Sequence, residues 1–427
     1  LINRLQSNIK WGMLDNFVDI PTDCPQRDER LGWTGDTQAF CCTAAYNADV
    51  DGFFHKWLQD ARDSQAENGM YPDVIPKVRV VGWGGAAWSD AGIIVPYTMW
   101  KMYADTDIIR EHYASMERYM DWLATTDLSG PNATYGDWLA YEPTDARYIS
   151  VAYYALDARY MAAMSRAIDR ADRAAHYDDL FEQVRDHFRR IYCNAEGDLN
   201  PEVRTQTGYL LALRNDLLLP ERRPAAVAAL KQKIIDNGYK LSTGFVGSCI
   251  LNEVLAEFGE NNLAYSLLLQ TENPSWLYSV HQGATTIWER WNSYTKATGF
   301  GDVGMNSFNH YAYGAVQEWM YRHIAGIETT EQAPGFAHPI LQPKPDTRSA
   351  EEIPAGQEKI TWVRTSFASP VGLIESAWDM TDGFTYTCRV PVAATLHLPL
   401  IGNAETLIIN GVAHKPDEFR LCPIGKG

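Results

Sequence analysis

Residues 23–36 read Asp23-Cys-Pro-Gln-Arg27-Asp-Glu29-Arg-Leu-Gly-Trp33-Thr-Gly-Asp36, and the interpretation of the whole chain starts from this stretch. Pro25, Gly32 and Gly35 interrupt any regular pattern, which predicts a loop running into a helix that begins near Asp36. The loop carries four acids, two arginines and one tryptophan. Acids crowded into so short a segment repel one another. Such repulsion is explained if the acids bind a cation or if their carboxylates take part in chemistry.

Two interpretations of this loop are possible, and the tryptophan favours one of them. A solvated acidic turn with local arginine pairs is the usual role of such a charge run. A solvated turn does not explain why a large aromatic residue, Trp33, lies between glycines on a polar loop. A sugar site uses both features, because one acid protonates a leaving oxygen, other acids hold hydroxyls, and an indole face stacks on a pyranose ring. The loop therefore predicts a carbohydrate-processing site.

The same stretch closely resembles the signature of the inverting α-L-rhamnosidase family of glycoside hydrolases, in a long and nearly gapless match. Thr285-Thr-Ile-Trp288-Glu289-Arg-Trp291 resembles the family's second catalytic segment, and Ser307-Phe-Asn309-His310-Tyr-Ala-Tyr-Gly314 resembles its Asn-His-Tyr helix start. The three stretches occur in the family's order, and the resemblance covers most of the chain. It implies an (α/α)6 barrel that hydrolyses terminal non-reducing α-L-rhamnose residues with inversion and without a cofactor.

Inverting hydrolysis needs one carboxylic acid and one carboxylate base, with their carboxyl groups roughly 6.5–9.5 Å apart. The sequence offers four candidates for the acid: Asp23, Asp28, Glu29 and Asp36. The residues alone do not choose among them, and the resemblance implies Glu29. It also implies Glu289 as the base. From the sequence alone, a salt bridge between Glu289 and Arg290 or another arginine is an equal alternative, because a buried glutamate needs a partner.

The resemblance carries over seven sugar-binding side chains, position by position: Asp23, Arg27, Trp33, Asp36, Trp88, Trp138 and His310. Arg27 is expected on a sugar hydroxyl rather than on Glu29, because a cation favours the ionised form of a neighbouring acid. For His310 the alternative is a helix-start residue satisfied by backbone. Asp90 and Asp137 are further pocket candidates. No metal site is expected, because His281 and His310 lack a third ligand at a recognisable spacing.

Two other functions remain open. A different inverting hydrolase on the same barrel would use the same pair of carboxylates on another sugar. A catalytically silent carbohydrate-binding protein would keep the pocket without the chemistry. The presence of both Glu29 and Glu289 argues against the silent protein, because sugar binding alone does not need a paired acid and base.

The composition excludes several classes of protein. With 427 residues, 46% of them hydrophobic and 12% aromatic, the chain can bury a large core and is not disordered. Its net charge of −17 disfavours nucleic acid and anionic membranes as partners, because both need cationic surfaces. No apolar run approaches the roughly 18–20 residues of a membrane span. The expected partner is a small-molecule rhamnoside or a rhamnose-containing oligosaccharide.

The seven cysteines are odd in number, include the adjacent pair Cys41 and Cys42, and show no CxxC spacing. This pattern disfavours a disulfide framework and a zinc site, and it predicts reduced, mostly buried thiols of an intracellular compartment. The chain begins Leu-Ile-Asn-Arg without an initiator methionine. We therefore expect that an N-terminal part of the protein precedes it.

The periodicity predicts a mainly α chain with a catalytic domain at 1–328, a linker at 329–346 and a truncated C-terminal β-sandwich, without its final strand, at 347–427. Asp382-Gly383 and Asn410-Gly411 are predicted hairpin turns. The predicted strands are Lys359–Ser366, Leu373–Trp378, Phe384–Val390, Ala394–Leu400 and Thr406–Ile409. The predicted helices are Asp36–Ala48, Gly52–Glu67, Ala91–Tyr103, Asp107–Thr125, Val151–Ala163, Ala171–Ile191, Val203–Leu218, Pro224–Asn237, Gly244–Phe258, Asn261–Leu269 and His310–Ile324.

Overall fold

The computed structural model describes residues 1–79, 81–131, 134–399, 407–409, 412–415 and 422–424. The chain forms two compact units. The first unit comprises Leu1–Met99 and Thr106–Val316, and the second comprises Trp100–Asp105 and Gln317–Gly427. The first unit carries the three motifs and is described first.

Helices dominate the first unit. Their bounds are Ile2–Asn16 (α1), Thr34–Asn47 (α2), Asp51–Ser64 (α3), Ala91–Tyr103 (α4), Thr106–Ala124 (α5), Ala146–Ala167 (α6), Ala171–Tyr192 (α7), Gln206–Arg214 (α8), Arg223–Asp236 (α9), Phe245–Glu257 (α10), Asn261–Leu268 (α11) and Trp276–His281 (α12). A last helical segment runs from a 3-10 turn at Ala312–Ala315 through Val316–Trp319 (α13) to a π-turn at Met320–Ile324, and from Gln317 onward it belongs to the second unit. Each predicted helix therefore coincides with a helical segment, and α4 has the predicted bounds.

The helices form an inner and an outer layer, and their burial patterns explain why. α6 buries 17 of its 22 residues, whereas its neighbour α7 buries 6 of 22 along one stripe. A helix that is apolar on all sides belongs inside, and an amphipathic helix covers it from the outside. The same alternation recurs in α8, which is almost fully buried and packs against α9, a helix with only four buried residues. Paired helices of this kind bring their connecting loops together at the ends of the barrel.

Capping side chains explain where the helices depart from the predicted bounds. α6 begins five residues earlier than predicted, because Asp145 accepts a hydrogen bond from the Tyr148 N–H at 2.9 Å. α8 begins three residues later than predicted, because Thr205 accepts from the Gly208 N–H at 2.9 Å. The sequence analysis missed the short helix α12, whose cap is Ser275. Six residues are too few for periodicity to be read.

The second unit contains most of the β-structure. Short strands at Ile327–Glu328 (β3), Ile340–Leu341 (β4), Ala394–Leu396 (β8) and Cys422–Ile424 (β11) form a sheet in the order β11-β8-β4-β3. Trp362–Ser369 (β5), Gly372–Asp379 (β6) and Thr385–Arg389 (β7) form an antiparallel meander. Leu407–Ile409 (β9) and Val412–His414 (β10) pair with each other. Two further strands, Tyr294–Thr295 (β1) and Gly299–Phe300 (β2), form a hairpin in the first unit.

The predicted truncation of the β-sandwich stays a prediction, and one short strand, β11, forms in a stretch where none is predicted. β11 pairs antiparallel with β8 at the edge of its sheet, and an edge strand is where a proline such as Pro423 is tolerated. The Asp382-Gly383 turn lies between β6 and β7 as predicted. The predicted turn at Asn410-Gly411 lies outside the described residues.

The cysteines of the described side chains form no disulfide. Cys24 and Cys41 are buried, whereas Cys42, Cys193, Cys249 and Cys388 are partly exposed. The expectation of mostly buried thiols therefore holds for two of these six positions.

Candidate active site

The first motif forms a loop that closes on itself through Asp23. The backbone N–H of Asp23 donates to the Leu31 carbonyl at 2.8 Å, and the Leu31 N–H donates back to Asp23 Oδ1 at 2.9 Å. Gly32 follows directly, at a position where a Cβ atom would come within 2.1 Å of the Ile75 carbonyl oxygen. Arg27 and Glu29 lie between these anchors and are held as part of one turn immediately before α2.

Arg27 links three carboxylates of the site. Its Nη1 donates to Glu289 Oε2 at 3.0 Å, and its Nη2 donates to Glu29 Oε2 and, at 3.5 Å, to Asp23 Oδ2. Arg27 therefore binds Glu29, contrary to the expectation, while its predicted contact with a sugar hydroxyl stays a prediction. The physical reason is that converging carboxylates, one of them 2% exposed, need a cation among them. Burial lowers the pKa of Arg27, but the carboxylates of Glu289 and Glu29 outweigh burial and raise it.

Glu289 lies in an irregular segment and is held by the third motif. Its backbone N–H donates to the Ser307 carbonyl at 2.9 Å, and Gln26 of the first motif donates to Ser307 Oγ at 2.7 Å. Trp291 donates through Nε1 to the Thr243 carbonyl at 2.9 Å. The arginine that pairs with Glu289 is Arg27, 262 positions away, and this pair joins the first and second motifs.

Glu29 is the acid of the first motif that is both inside the site and open to solvent. Its side chain is 23% exposed, and Trp33 Nε1 donates to its Oε1 at 2.6 Å. The side chain of Asp28 is fully exposed and lies 3.5 Å from Arg30. The structure thus separates two neighbouring acids that the sequence alone could not distinguish.

His310 and Asp36 form a buried ion pair between the third motif and α2. His310 Nε2 lies 2.7 Å from Asp36 Oδ1, and the His310 backbone N–H donates to the Ile287 carbonyl at 2.8 Å. Burial lowers the pKa of His310, but the Asp36 carboxylate, with help from Glu289 and Asp23, outweighs burial and raises it to about 9. At neutral pH the ring is therefore a cation within the site.

Asp23 is the site acid with a raised pKa. Burial raises the pKa of its carboxyl to about 6, with Glu29 and Asp36 adding to the rise, while His310 and the hydrogen bond from Cys24 act in the opposite direction. The Cys24 thiol donates to Asp23 Oδ2 at 3.0 Å. Because its oxygens are already bound by the loop and it is fully buried, Asp23 is a structural and electrostatic member of the site.

The predicted tryptophans surround a residue that the sequence analysis did not single out. The Tyr135 ring centroid lies 4.6 Å from that of Trp88, 5.5 Å from Trp33 and 6.4 Å from Trp138. Trp88 is only 3% exposed, and Gly35 leaves room for its indole. Trp33 and Trp138 are partly exposed. The signal that could have found Tyr135 is its place in the same glycine-bearing loop as Trp138.

The geometry unites all three motifs, and comparison with protein families gives the same result. The model of the bacterial alpha-L-rhamnosidase 6 hairpin glycosidase domain matches residues 1–324. The chain belongs to this family. The model of the bacterial alpha-L-rhamnosidase C-terminal domain matches residues 326–411. The resemblance found in the motifs and the predicted fold class, a six-hairpin helical barrel followed by a small β-region, are confirmed. The predicted linker at 329–346 stays a prediction.

Several members of the family are similar over nearly the whole chain. An α-L-rhamnosidase from Formosa agariphila is 40% identical over 96% of this chain and 44% of its own length, and one from Streptomyces avermitilis is 39% identical over 92% and 37%. The crystal structure of Streptomyces avermitilis α-L-rhamnosidase complexed with L-rhamnose has a TM-score of 0.91 at 37% identity, covering 100% of this chain and 40% of that one. The Aspergillus terreus enzyme has a TM-score of 0.85 at 31% identity, covering 99% and 49%. The chain spans less than half the length of each of these relatives.

In this member of the rhamnosidase family, Asp137 binds backbone N–H groups. Its carboxylate accepts hydrogen bonds from the N–H groups of Gly244, Val246 and Gly247 at 2.9, 2.8 and 3.2 Å, and from the hydroxyl of Thr207. A carboxylate on the first N–H groups of a helix stabilises its N-terminus. Asp137 therefore anchors α10 to the loop that carries Trp138.

Asp90 is likewise bound within the protein. It accepts from the Tyr119 hydroxyl at 2.9 Å and from the Ala87 N–H. All of these groups are buried. The sequence-based suggestion that Asp90 and Asp137 face a pocket gains no support from these contacts.

Asp23, Cys24 and Glu29 bring three potential metal-ligand atoms within 4.8 Å of one another. Arg27 already donates to two of these side chains, so a cation is present among them. Burial and the neighbouring Asp23 raise the pKa of the Cys24 thiol to about 12, which opposes the thiolate that a metal would need. The group therefore fits an arginine better than a metal ion.

Within the described part of the chain, no helix combines the length and the apolar character that crossing a membrane would require.

Proposed function

We propose that the chain hydrolyses terminal non-reducing α-L-rhamnose residues with inversion of configuration, with Glu29 as general acid and Glu289 as general base. The observation that carries this proposal is the Arg27 guanidinium, which binds both carboxylates at once although Arg27 and Glu289 are 262 positions apart. Two carboxylates that share one cation face a common space. Such a pair is what inverting glycoside hydrolysis requires.

The proposed reaction transfers one proton at each side of the sugar. Glu29 donates a proton to the glycosidic oxygen as the bond to the anomeric carbon breaks. Glu289 removes a proton from a water molecule that attacks the same carbon from the opposite face. The aglycone leaves as an alcohol, and the first sugar product is β-L-rhamnose. The proton taken by Glu289 returns to Glu29 through solvent before the next turnover.

Exposure and existing bonds favour Glu29 over the other acids of the first motif. Asp28 points into solvent beside Arg30. Asp36 is engaged with His310, and Asp23 is bound by the backbone of its own loop. Glu29 combines access to solvent with a position beside Arg27 and Trp33.

Arg27 gives the proposal a further step. Arg27 binds both carboxylates of the proposed pair. We expect a bound sugar to draw Arg27 from Glu29 onto a hydroxyl group, in the role that the family resemblance implies. His310, protonated at neutral pH, and Asp36 supply further hydrogen-bonding groups for the sugar.

The substrate class rests on the relatives. The curated members are named α-L-rhamnosidases, and one solved relative holds L-rhamnose. The site of this chain has partly exposed indoles at Trp33 and Trp138 for the apolar face and the methyl group of a 6-deoxy sugar. An apolar pocket discriminates a missing hydroxyl by only about 1–3 kcal/mol, so related sugars are the natural competitors. We propose rhamnosides or rhamnose-containing oligosaccharides as the partners.

A panel of p-nitrophenyl glycosides, followed by proton NMR of the first-formed anomer, tests this function. We expect the α-L-rhamnoside to be hydrolysed and β-L-rhamnose to appear first, and Glu289→Gln to abolish most turnover. α-L-Rhamnose as the first product would mean retention and would overturn the assignment of Glu289 as base. Preference for another glycoside would favour a different inverting hydrolase, and sugar binding without hydrolysis would favour a silent binding protein.

A further inference from the structure

Asp73, in the loop between α3 and α4, forms hydrogen bonds with three segments of the site. Its carboxylate accepts at Oδ1 from the Gly85 N–H at 2.8 Å and from the Ser89 hydroxyl at 3.2 Å, and at Oδ2 from the Tyr135 hydroxyl at 2.9 Å. Its backbone carbonyl accepts from the N–H and the hydroxyl of Thr34 at 3.0 and 2.9 Å. One residue therefore joins the start of α2, the loop that carries Trp88 and the loop before α6.

Two glycines make room for this carboxylate. A Cβ atom at Gly82 would lie 2.7 Å from Asp73 Oδ2, and one at Gly85 would lie 2.9 Å from Oδ1. Contacts that short do not occur for real Cβ atoms, so the backbone approaches Asp73 only because these positions lack side chains. Asp73 is 2% exposed and its partners satisfy it. Burial raises its pKa, and the hydrogen bonds from Gly85, Tyr135 and Ser89 oppose that rise.

Tyr135 connects this anchor to the candidate acid. Its hydroxyl is fixed by Asp73, and its ring meets the Trp33 indole edge to face at an interplanar angle of 86°. The Trp33 indole in turn contacts the candidate acid, because its N–H donates to Glu29 Oε1 at 2.6 Å. The direction of that N–H depends on the orientation of the indole ring. The orientation in turn depends on the ring against which it packs.

We propose that Asp73 and Tyr135 are positioning residues of the active site, fixing the Trp33 indole so that its N–H holds Glu29 in place for proton donation. This proposal rests on the proposed function, since it assigns Glu29 the role of acid. Asp73 and Tyr135 also position Trp88, whose ring centroid lies nearer to that of Tyr135 than the centroids of Trp33 and Trp138 do. Neither Asp73 nor Tyr135 takes part in proton transfer itself.

The test compares two classes of rhamnoside. Tyr135→Phe keeps the ring and removes the hydrogen bond to Asp73, so we expect kcat to fall about 3- to 10-fold on rhamnosides with poor leaving groups. Tyr135→Ala removes the ring as well, and we expect a loss on the order of 10²-fold. For p-nitrophenyl rhamnoside, which needs little acid assistance, both losses should be several-fold smaller. Equal losses on both classes would overturn the link to Glu29.

A double-mutant cycle shows whether Tyr135 acts through the indole. Trp33→Phe removes the N–H that binds Glu29, so adding Tyr135→Phe to it should cost little more on poor leaving groups. Additive losses would overturn the proposal. For the anchor, Asp73→Asn should retain most activity, because an amide oxygen can still accept from Gly85 and its NH₂ can donate to the Tyr135 hydroxyl, whereas Asp73→Ala should not.

Tyr113→Phe is the matched control. The Tyr113 hydroxyl is buried and hydrogen-bonded to Ser165 Oγ at 2.6 Å, outside the site, so its removal should lower stability without changing the leaving-group dependence. If Tyr113→Phe changed that dependence as Tyr135→Phe does, the effect would be one of general stability and the proposal would fail.

A second readout needs no activity and so separates this proposal from the proposed function. In protein labelled with 5-fluorotryptophan, the ¹⁹F signals of Trp33, Trp88 and Trp138 can be assigned by substitution of each. Tyr135→Phe should shift or broaden the signal of Trp33, and Tyr113→Phe should not. An unchanged Trp33 signal would overturn the positioning role even if the chain hydrolyses rhamnosides. A shifted signal in a chain that hydrolyses none would support the hold of Tyr135 on the indole and would overturn the role in proton donation.

Discussion

His310 Nε2 lies 2.7 Å from Asp36 Oδ1, and both side chains are 4% exposed. A buried imidazole alone loses its proton easily, because burial disfavours the charged form. The carboxylate beside it reverses this and raises the pKa of His310 to about 9. The raised pKa favours a protonated imidazole beside the Asp36 carboxylate, close to Glu289 and Asp23, and two experiments follow from it.

Asp36→Asn should lower the pKa of His310 from about 9 to below its ordinary value of 6.5, because burial then acts with less opposition. The check is an NMR titration of the imidazole signals. A pKa that remains near 9 would show that Asp36 isn't the main source of the shift. His176→Gln, which changes a histidine of the amphipathic helix α7, assigns one ring signal and serves as a control.

The same pair makes stability depend on pH in a defined direction. Because the folded-state pKa of His310 is raised, its contribution is fully present below pH 6.5 and is lost as pH rises through about 9. Urea unfolding at pH 6 and pH 9 should show this fall in the free energy of unfolding. In Asp36→Asn the fall over this range should largely disappear, and a fall as large as in the unchanged chain would contradict the assignment.

Glu29→Gln and Glu289→Gln should each abolish most turnover while the fold stays intact, since general acid and base groups contribute about 10²–10⁴-fold each. Loss of the acid should hurt poor leaving groups far more than activated aryl ones, whereas loss of the base should hurt both alike. Steady-state kinetics on two rhamnosides distinguish them. Asp28→Asn is the control, because Asp28 is fully exposed and should be dispensable. If Glu29→Gln kept its activity on unactivated rhamnosides, Glu29 would not be the acid.

Trp88→Ala and Trp138→Ala should differ, although the sequence grouped them. Trp88 is 3% exposed, so truncation should cost about 3–5 kcal/mol of stability, measured by denaturant unfolding. Trp138 is partly exposed, so its truncation should mainly weaken the binding of L-rhamnose, by roughly 5- to 10-fold in calorimetry. Unchanged affinity in Trp138→Ala would remove it from the sugar site.

Asp157 of α6 should tolerate asparagine better than alanine. Burial, with the nearby Asp90, raises its pKa well above the ordinary value, so the folded chain keeps a proton that the unfolded chain releases above about pH 3.8. This group therefore lowers the free energy of unfolding as pH rises. Asp157→Asn should match or exceed the unchanged chain above the ordinary pKa of 3.8, whereas Asp157→Ala, which leaves buried space in place of the carboxyl, should lose stability. Equal losses in both variants would contradict a raised pKa of Asp157 in the folded chain.

Local patterns in the sequence were enough for the fold class and for the identity of the site's segments. Helical periodicity placed α2 to α11 because those helices have buried stripes or buried interiors of regular spacing, as α7 illustrates. The three motifs identified acids and aromatic residues of the candidate site, because a site requires particular residue types within short stretches of sequence. Boundaries were less well predicted where a single capping side chain, such as Asp145 or Thr205, decides the first turn.

Only the tertiary structure decided which of these residues meet. Whether Asp28 or Glu29 faces the site depends on the closure of the loop between Asp23 and Leu31. The residue types next to Asp28 and Glu29 do not predict that closure. The bond from Arg27 to Glu289 and the place of Tyr135 among three tryptophans join segments far apart in the chain. Composition and periodicity describe one segment at a time. Pairing across the barrel is fixed by packing and by the cost of leaving a buried charge without a partner.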